Sequence, residues 1–175
     1  GVGMREAIEE ERKMLENVRS RADYVVDTTH LSVAALREHL IQIFTESDPG
    51  SLLQVTVQSF GFKYGIPTEA DLVFDVRFLP NPYYEISLRE HNGTEKCIRD
   101  YVFQDGVADE LMGHLSGLID FLLPRYAKEG KSSLVICVGC TGGKHRSVAI
   151  AEALTEHINT HGGNASAVHR DYQRG

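Results

Sequence analysis

The stretch Leu134-Val-Ile-Cys-Val138, followed by Gly139-Cys-Thr-Gly-Gly-Lys-His-Arg-Ser147, decides the fold of this 175-residue chain. Its first five residues form a short apolar run, which is typical of a strand buried on both faces. Ile150, Leu154 and Ile158 then repeat at the spacing of an amphipathic helix. A glycine-rich turn therefore joins the carboxyl end of a strand to the start of a helix.

The sequence around this turn alternates between strand and helix patterns. Strands are predicted over 52–58, 72–77, 134–138 and 165–169, and helices over 107–126 and 147–160. This alternation predicts an α/β fold with a mixed, mostly parallel sheet flanked by helices, and a ligand site at the carboxyl ends of the strands. Five apolar residues of the first helix are predicted to face the core: Val107, Leu111, Leu115, Leu118 and Leu122.

The first 48 residues are predicted to form a separate unit. Residues 4–19 indicate a charged helix, residues 24–26 a short strand, and Ser32 the N-cap of a second helix. Asp-Pro-Gly-Ser at 48–51 then breaks the helical pattern. Because two helices and one strand cannot enclose a core, we expect 1–48 to be the end of a larger N-terminal domain plus a linker, and 49–175 to be the ligand-binding domain.

Charge and cysteine content narrow the function classes. The formal net charge is −7, which argues against a surface that binds nucleic acid throughout, yet residues 131–175 carry five Lys or Arg against three acids. Any RNA contact would fall to Lys144, Arg170 and Arg174. The chain has three cysteines with no second Cys-x-x-Cys pair, which favours a reduced cytoplasmic protein without a metal site. It has no long apolar run, so no membrane span is expected.

The glycine-rich turn has the composition of a phosphate site. Gly142 and Gly143 allow the backbone to approach an anion closely, at the positive end of the helix dipole. Arg146 is expected to bind two phosphate oxygens, with Lys144 adding charge. Thr141 and Ser147 can donate hydroxyl groups, and His145 adds a titratable ring. The alternative is a tight turn whose cations face solvent.

Two enzymatic functions are alternatives to binding alone at this turn. A Walker A loop needs one more residue before its lysine and a hydroxyl residue after it, so ATP hydrolysis at this turn is not expected. Cys140, five residues and Arg146 match the spacing of cysteine-dependent phosphatases, in which Cys140 would be the nucleophile. Gly139 stands where that signature usually has histidine, and no aspartate occupies an identifiable acid loop. Binding without catalysis is therefore the expectation.

Two further loops follow predicted strands and add candidate ligand residues. Lys63 lies between two glycines in an aromatic loop that can close over a polar ligand. Asp75 and Arg77 share one face of a strand, where they either form a structural ion pair or contact the ligand. Asn81, between two prolines, indicates a rigid, shaped loop.

These residues resemble the C-terminal domain of the RapZ/YvcJ family of bacterial P-loop nucleotide-binding proteins. The similar stretches are Ser59-Phe-Gly-Phe-Lys-Tyr-Gly-Ile-Pro67, residues 71–82 (DLVFDVRFLPNP) and residues 139–147 (GCTGGKHRS), and residues 19–32 resemble the end of the family's N-terminal domain. The family's Walker A segment is not in this sequence. The chain is therefore expected to be a C-terminal fragment of a larger protein.

The resemblance implies a regulatory domain that binds a phosphorylated amino sugar or a sugar nucleotide, with an RNA adapter role for an RNase as an alternative. ATP or GTP is implied only for the N-terminal domain, and no cofactor for this chain. A regulatory protein partner and homo-oligomerisation stay open. The ligand residues implied by the resemblance are Lys63, Asp75, Arg77, Cys140, Gly142, His145 and Arg146.

Overall fold

The computed structural model describes residues 3–44 and 53–174, and the chain divides into two compact units, 1–45 and 46–175. The predicted break at 48–51 and the predicted strand start at 52 lie outside the described residues. Within these residues, no helix combines the length and the apolar character that crossing a lipid bilayer requires.

The first unit contains two helices, α1 (Met4–Arg19) and α2 (Val33–Phe44). Ser32 caps α2 as expected, since its Oγ accepts a hydrogen bond of 3.2 Å from the Ala35 N–H. The strand predicted at 24–26 is wrong, because these residues are irregular. A strand needs a neighbour for its backbone groups, and the described part of this unit offers none.

The second unit is an α/β fold, as predicted, and its strands are β1 (Gln54–Gly61), β2 (Leu72–Asp75), β3 (Ser133–Cys140) and β4 (Asn164–His169). They form one sheet in the order β2-β3-β1-β4, and every pair in it is parallel. The helices are α3 (Lys96–Phe103), α4 (Val107–Glu129) and α5 (Arg146–Thr160), and short 3-10 turns cover Phe62–Tyr64 and Pro82–Tyr84. The sequence patterns did not predict α3.

Strand register brings the chemically interesting loops to one edge of the sheet. Gly61 pairs with Cys140, and Asp75 pairs with Gly139. The carboxyl ends of β1, β2 and β3 therefore stop at the same level, because all three strands run in parallel. The loops that follow them leave the sheet side by side.

The core lies between one face of the sheet and the helices, with α5 packed across β1, β3 and β4. Ile150, Leu154 and Ile158 are buried, as the helical spacing predicts. In α4, however, the predicted burial of Val107 and Leu118 is wrong, since they are 40% and 44% exposed. The buried face of α4 instead contains Ala108, Leu115 and Ile119. Leu111 and Leu122 are half-buried.

Candidate functional site

A pocket of about 650 Å³ opens at the carboxyl edge of the sheet. Lys63 comes from the loop after β1, Asn81 from the loop after β2, and residues 140–146 supply the turn after β3. Four cationic side chains and one acid line it, although the whole chain is acidic. Its lining residues are Lys63, Asn81, Tyr83, Tyr84, Arg89, Glu90, Cys140, Thr141, Gly142, Lys144, His145 and Arg146.

The backbone of the turn depends on a glycine and leaves two N–H groups without a protein acceptor among the described residues. Gly143 has φ 79°, and a Cβ there would lie 2.7 Å from the Gly61 nitrogen, so only glycine fits. Within residues 53–174, no protein acceptor takes the N–H groups of Gly142 and Lys144. α5 begins after His145 without a side-chain cap. Unpaired N–H groups at the positive end of a helix favour a bound anion.

Arg146 lies in the pocket wall and is only 5% exposed. Its Nη1 donates to the carbonyls of Arg77 and Leu79, at 2.5 and 3.2 Å, and its Nη2 donates to Thr141 Oγ1 at 3.3 Å. Its Nε has no hydrogen-bond partner among the described residues. The carbonyls of the loop after β2 thus fix the guanidinium in the pocket wall, where its positive charge acts on the pocket.

Cys140 lines the pocket but is nearly buried, with 3% exposure. Its Sγ accepts a hydrogen bond from the Gly143 N–H at 3.2 Å and lies 3.1 Å from Ser147 Oγ. Ser147 is fully buried, and neither it nor Gly143 lines the pocket. Gly143 and Ser147, both predicted ligand residues, therefore position the Cys140 sulfur and maintain the shape of the turn.

His145 is 7% exposed, and its Nε2 has no hydrogen-bond partner among the described residues. Burial and the neighbouring Lys144 hold the pKa of His145 below its ordinary value of 6.5. Lys144 Nζ donates to the Arg89 carbonyl at 3.2 Å. The neutral imidazole and the tethered ammonium both line the pocket next to the unpaired amides.

The other predicted ligand residues divide into two groups. Lys63 and Asn81 line the pocket, and Lys63 lies 4.7 Å from the centre of the Tyr64 ring. Asp75 and Arg77 do not line it, and they form the ion pair that was one of the two alternatives, with Arg77 Nη2 2.7 Å from Asp75 Oδ2. The hydrogen bond from Arg77 lowers the pKa of Asp75.

The sequence patterns missed one whole side of the pocket. Tyr83, Tyr84, Arg89 and Glu90 form it, and the Arg89 guanidinium lies 4.7 Å from the centre of the Tyr83 ring. Neither a helical nor a strand period runs through 83–95, so no element was predicted there. The signal that was present is the pair of tyrosines directly after the Pro-Asn-Pro segment.

A buried carboxylate supports the turn from behind. Asp171 is fully buried, accepts a hydrogen bond of 2.9 Å from the Gly61 N–H and pairs with Arg170 at 2.7 Å. Burial raises the pKa of Asp171, but the hydrogen bonds from Arg170 and Gly61 outweigh burial, so the pKa lies below 3.8. Because a Cβ on Gly143 would come within 2.8 Å of the Asp171 Cβ, this carboxylate packs directly against the turn.

The three cations predicted to contact RNA all have partners within the chain. Lys144 donates to Arg89, and Arg170 donates to the Gly65 carbonyl at 2.8 Å as well as to Asp171. Arg174 lies 3.4 Å from Asp171. RNA binding by these residues stays a prediction.

Fold and site together define an α/β domain whose cationic pocket lies at the carboxyl edge of a parallel sheet. Residues 53–173 match the RapZ C-terminal domain, and residues 3–48 match the RapZ-like N-terminal domain. The chain belongs to the RapZ family.

Proteins similar to this chain occur in bacteria. A protein of Caldicellulosiruptor saccharolyticus named "Nucleotide-binding protein" is 50% identical over 97% of this chain and 58% of its own length. Proteins with that same description from Finegoldia magna and from Clostridium botulinum strain Loch Maree are each 48% identical, over 95% and 92% of this chain and 58% and 55% of their own lengths. The chain thus spans a little over half the length of these relatives.

Proposed function

We propose that the second unit is a noncatalytic regulatory domain that binds a phosphorylated amino sugar or a sugar nucleotide in the cationic pocket. The observation that carries this proposal is the convergence of Lys63, Lys144 and the anchored guanidinium of Arg146 on a turn with unpaired amides. Such a cluster favours a dianion, because fixed donors and positive charge act on the same atoms.

The rest of the pocket suits the sugar part of the ligand. Tyr83 and Tyr84 offer ring faces for a pyranose or a nucleobase, and Glu90 is the carboxylate that a protonated amine would select. A volume of 650 Å³ lies within the range of about 300–1,000 Å³ that is typical of pockets for drug-sized small molecules. The pocket is therefore large enough for both ligand classes.

Calorimetry with three ligands tests the proposal: glucosamine-6-phosphate, UDP-N-acetylglucosamine and inorganic phosphate. Lys63 is exposed, so Lys63→Gln leaves the fold intact, and losing a charged hydrogen bond of about 1.5–3 kcal/mol is expected to weaken binding roughly 10- to 100-fold. Lys128→Gln, an exposed lysine at the end of α4, is the matched control and leaves affinity unchanged. Absence of binding by all three ligands would end the proposal.

A second variant separates an amino sugar from other phosphorylated sugars. Glu90→Gln keeps the side-chain shape but removes the charge, so it is expected to weaken glucosamine-6-phosphate and to leave glucose-6-phosphate unaffected. Equal weakening of the two ligands would show that Glu90 does not recognise the amine. The phosphate part of the proposal would then stand without the amino sugar.

The name of the relatives adds nucleotide binding to the proposal for the whole protein. This sequence contains no Gly-x-x-x-x-Gly-Lys-Ser/Thr segment. We therefore assign ATP or GTP binding to the part of the relatives that this chain does not span. The test is nucleotide binding by a full-length relative and by this chain, side by side.

Phosphatase activity is a second candidate because of the surroundings of Cys140. The Cys140 sulfur accepts a hydrogen bond from the Gly143 N–H, lies beside Ser147 Oγ and stands at the pocket wall with five residues between it and Arg146, which is the arrangement that a nucleophilic cysteine needs. In that reaction Sγ bonds to phosphorus, the phosphorus–oxygen bond of the substrate breaks, and water later releases phosphate. Phosphate release from an aryl phosphate that Cys140→Ser abolishes would establish it. Absence of phosphate release at every pH from about 5 to 8, the range in which nucleophilic cysteines react, would exclude phosphatase activity.

A further inference from the structure

A cluster of three different metal-ligand side chains lies where the loop after Pro82–Tyr84 enters α3. The ligand atoms of His91, Glu95 and Cys97 all lie within 4.8 Å of one another. Within the described residues this is the one group of three or more such side chains whose ligand atoms come this close. None of its members lines the cationic pocket.

The carboxylate of this cluster is held in one orientation. Glu95 Oε1 accepts from the backbone N–H and from Nδ2 of Asn92, at 2.8 and 3.2 Å. Glu95 Oε2 then faces His91 Nδ1 at 2.6 Å. Fixing one oxygen of a ligating carboxylate by neighbouring donors, so that the other points to the metal, is how outer partners support metal sites.

We propose that His91 Nδ1, Glu95 Oε2 and Cys97 Sγ bind one divalent transition-metal ion of the zinc class. Imidazole, carboxylate and thiolate are all zinc ligands, and the two anions neutralise the charge of the ion. Binding displaces the thiol proton of Cys97 to solvent. Water completes the coordination, because Cys97 is exposed.

The adjustment that the site needs is small. Ligand atoms around a tetrahedral zinc ion are about 3.3–3.8 Å apart, given bonds of roughly 2.0–2.3 Å. The His91 and Glu95 atoms must therefore separate from 2.6 Å by about 1 Å. The side chains of His91 and Glu95 are 44% and 42% exposed, so the His91 ring can move away from the fixed Glu95 carboxylate without disturbing the core.

An ion at this cluster would also fix one wall of the cationic pocket. The segment that carries His91 docks on the glycine-rich turn, where the Gly93 N–H donates to the Lys144 carbonyl at 2.9 Å. Arg89 and Glu90 line the pocket directly before His91. The bound ion links this segment to the start of α3.

Titration with cobalt(II), as a spectroscopic substitute for zinc, tests the proposal on the reduced chain in a non-thiol reductant. We expect a thiolate-to-cobalt charge-transfer absorption that saturates at one equivalent and disappears when zinc is added. Cys97→Ser removes the absorption, whereas Cys140→Ser retains it. If wild type lacks the absorption, or if the absorption survives Cys97→Ser, the proposal is overturned.

Two more variants separate this site from histidines elsewhere. His91→Ala removes a ligand and Asn92→Ala removes the support of Glu95, so each is expected to weaken zinc binding roughly 10- to 100-fold. The chain provides a matched control in His114, which lies 3.9 Å from Glu110 at the same i,i+4 spacing. His114→Ala leaves zinc affinity unchanged. Zinc affinity that drops equally in His114→Ala and His91→Ala would also overturn the proposal.

Discussion

Replacing Gly93 with alanine is expected to separate the pocket wall from the glycine-rich turn. Gly93 is buried, and its N–H donates to the Lys144 carbonyl at 2.9 Å. An added Cβ would contact the His145 carbonyl oxygen and come within 2.5 Å of Val148 Cβ and 2.7 Å of Ala149 N. These atoms belong to the first turn of α5 and cannot move aside, so the segment around Gly93 must move away from α5.

The cost follows from two contributions. Overpacking of a buried position costs about 1–3 kcal/mol, and the lost hydrogen bond to Lys144 adds about 0.5–1.5 kcal/mol. We expect Gly93→Ala to lower the free energy of unfolding of the second unit by about 2–4 kcal/mol. Phosphate-ligand affinity is expected to fall as well, because Arg89 and Glu90 move with the segment.

Urea unfolding followed by far-ultraviolet circular dichroism measures this cost, and Gly117→Ala is the control. Gly117 lies inside α4, and a Cβ there meets nothing within 4 Å. That change is expected to raise stability by about 0.5–1 kcal/mol, since alanine favours a helix over glycine. The reasoning fails if Gly93→Ala is as stable as wild type, or if the two variants change stability in the same direction.

Three further predictions concern other parts of the same unit. Asp171→Asn is expected to lower the free energy of unfolding by about 1.5–3 kcal/mol at pH 7, the value of hydrogen bonds to a charged group. Since the pKa of Asp171 is lowered, the stabilisation by its charge is lost as pH falls through that pKa. Urea unfolding below pH 3.8 should therefore show a smaller stability difference between variant and wild type. Sulfate, an anion that does not titrate in this range, is expected to bind more tightly as pH falls toward the lowered pKa of His145, by up to about tenfold per pH unit, because it favours the protonated form of His145. Calorimetry of His145→Gln should show no such pH dependence. In urea unfolding, Ile119→Ala is expected to lower the free energy of unfolding by about 2–5 kcal/mol, and Leu118→Ala by less than about 0.5 kcal/mol. Equal losses would contradict the assignment of Ile119 to the buried face of α4 and of Leu118 to its exposed face.

The glycine-rich turn was predictable because its signals are local. An apolar run, two glycines and a helical repeat lie within 25 residues, and together they place the turn between β3 and α5. The parallel sheet follows from the alternation of strands and helices. The sequence therefore located Lys63, Asn81 and the turn in one pocket without any knowledge of strand order.

Long-range packing made the remaining features unpredictable. Arg146 is anchored by carbonyls that lie 67 and 69 residues away, and no sequence pattern specifies such a contact. The alternation of side chains along a strand predicted that Asp75 and Arg77 either form an ion pair or both contact the ligand. They form the ion pair, although β2 ends at Asp75 and strand alternation does not extend to Arg77. Asp75 Oδ1 instead accepts from the Arg77 N–H at 2.9 Å, a local turn that fixes the pair.

Binding and catalysis at this pocket require the same anion site, and they differ in what else must be present. Phosphoryl transfer to Cys140 also needs an acid that protonates the leaving group, and Glu90 is the only carboxylic acid among the described lining residues. Glu90 lies on the side with the tyrosines, where the sugar rather than the phosphate is proposed to bind. Lys63→Gln is expected to weaken either function, whereas Cys140→Ser is expected to weaken only catalysis. If Cys140→Ser binds the ligand as tightly as the wild type and the two proteins release phosphate equally slowly, the pocket is assigned to sensing.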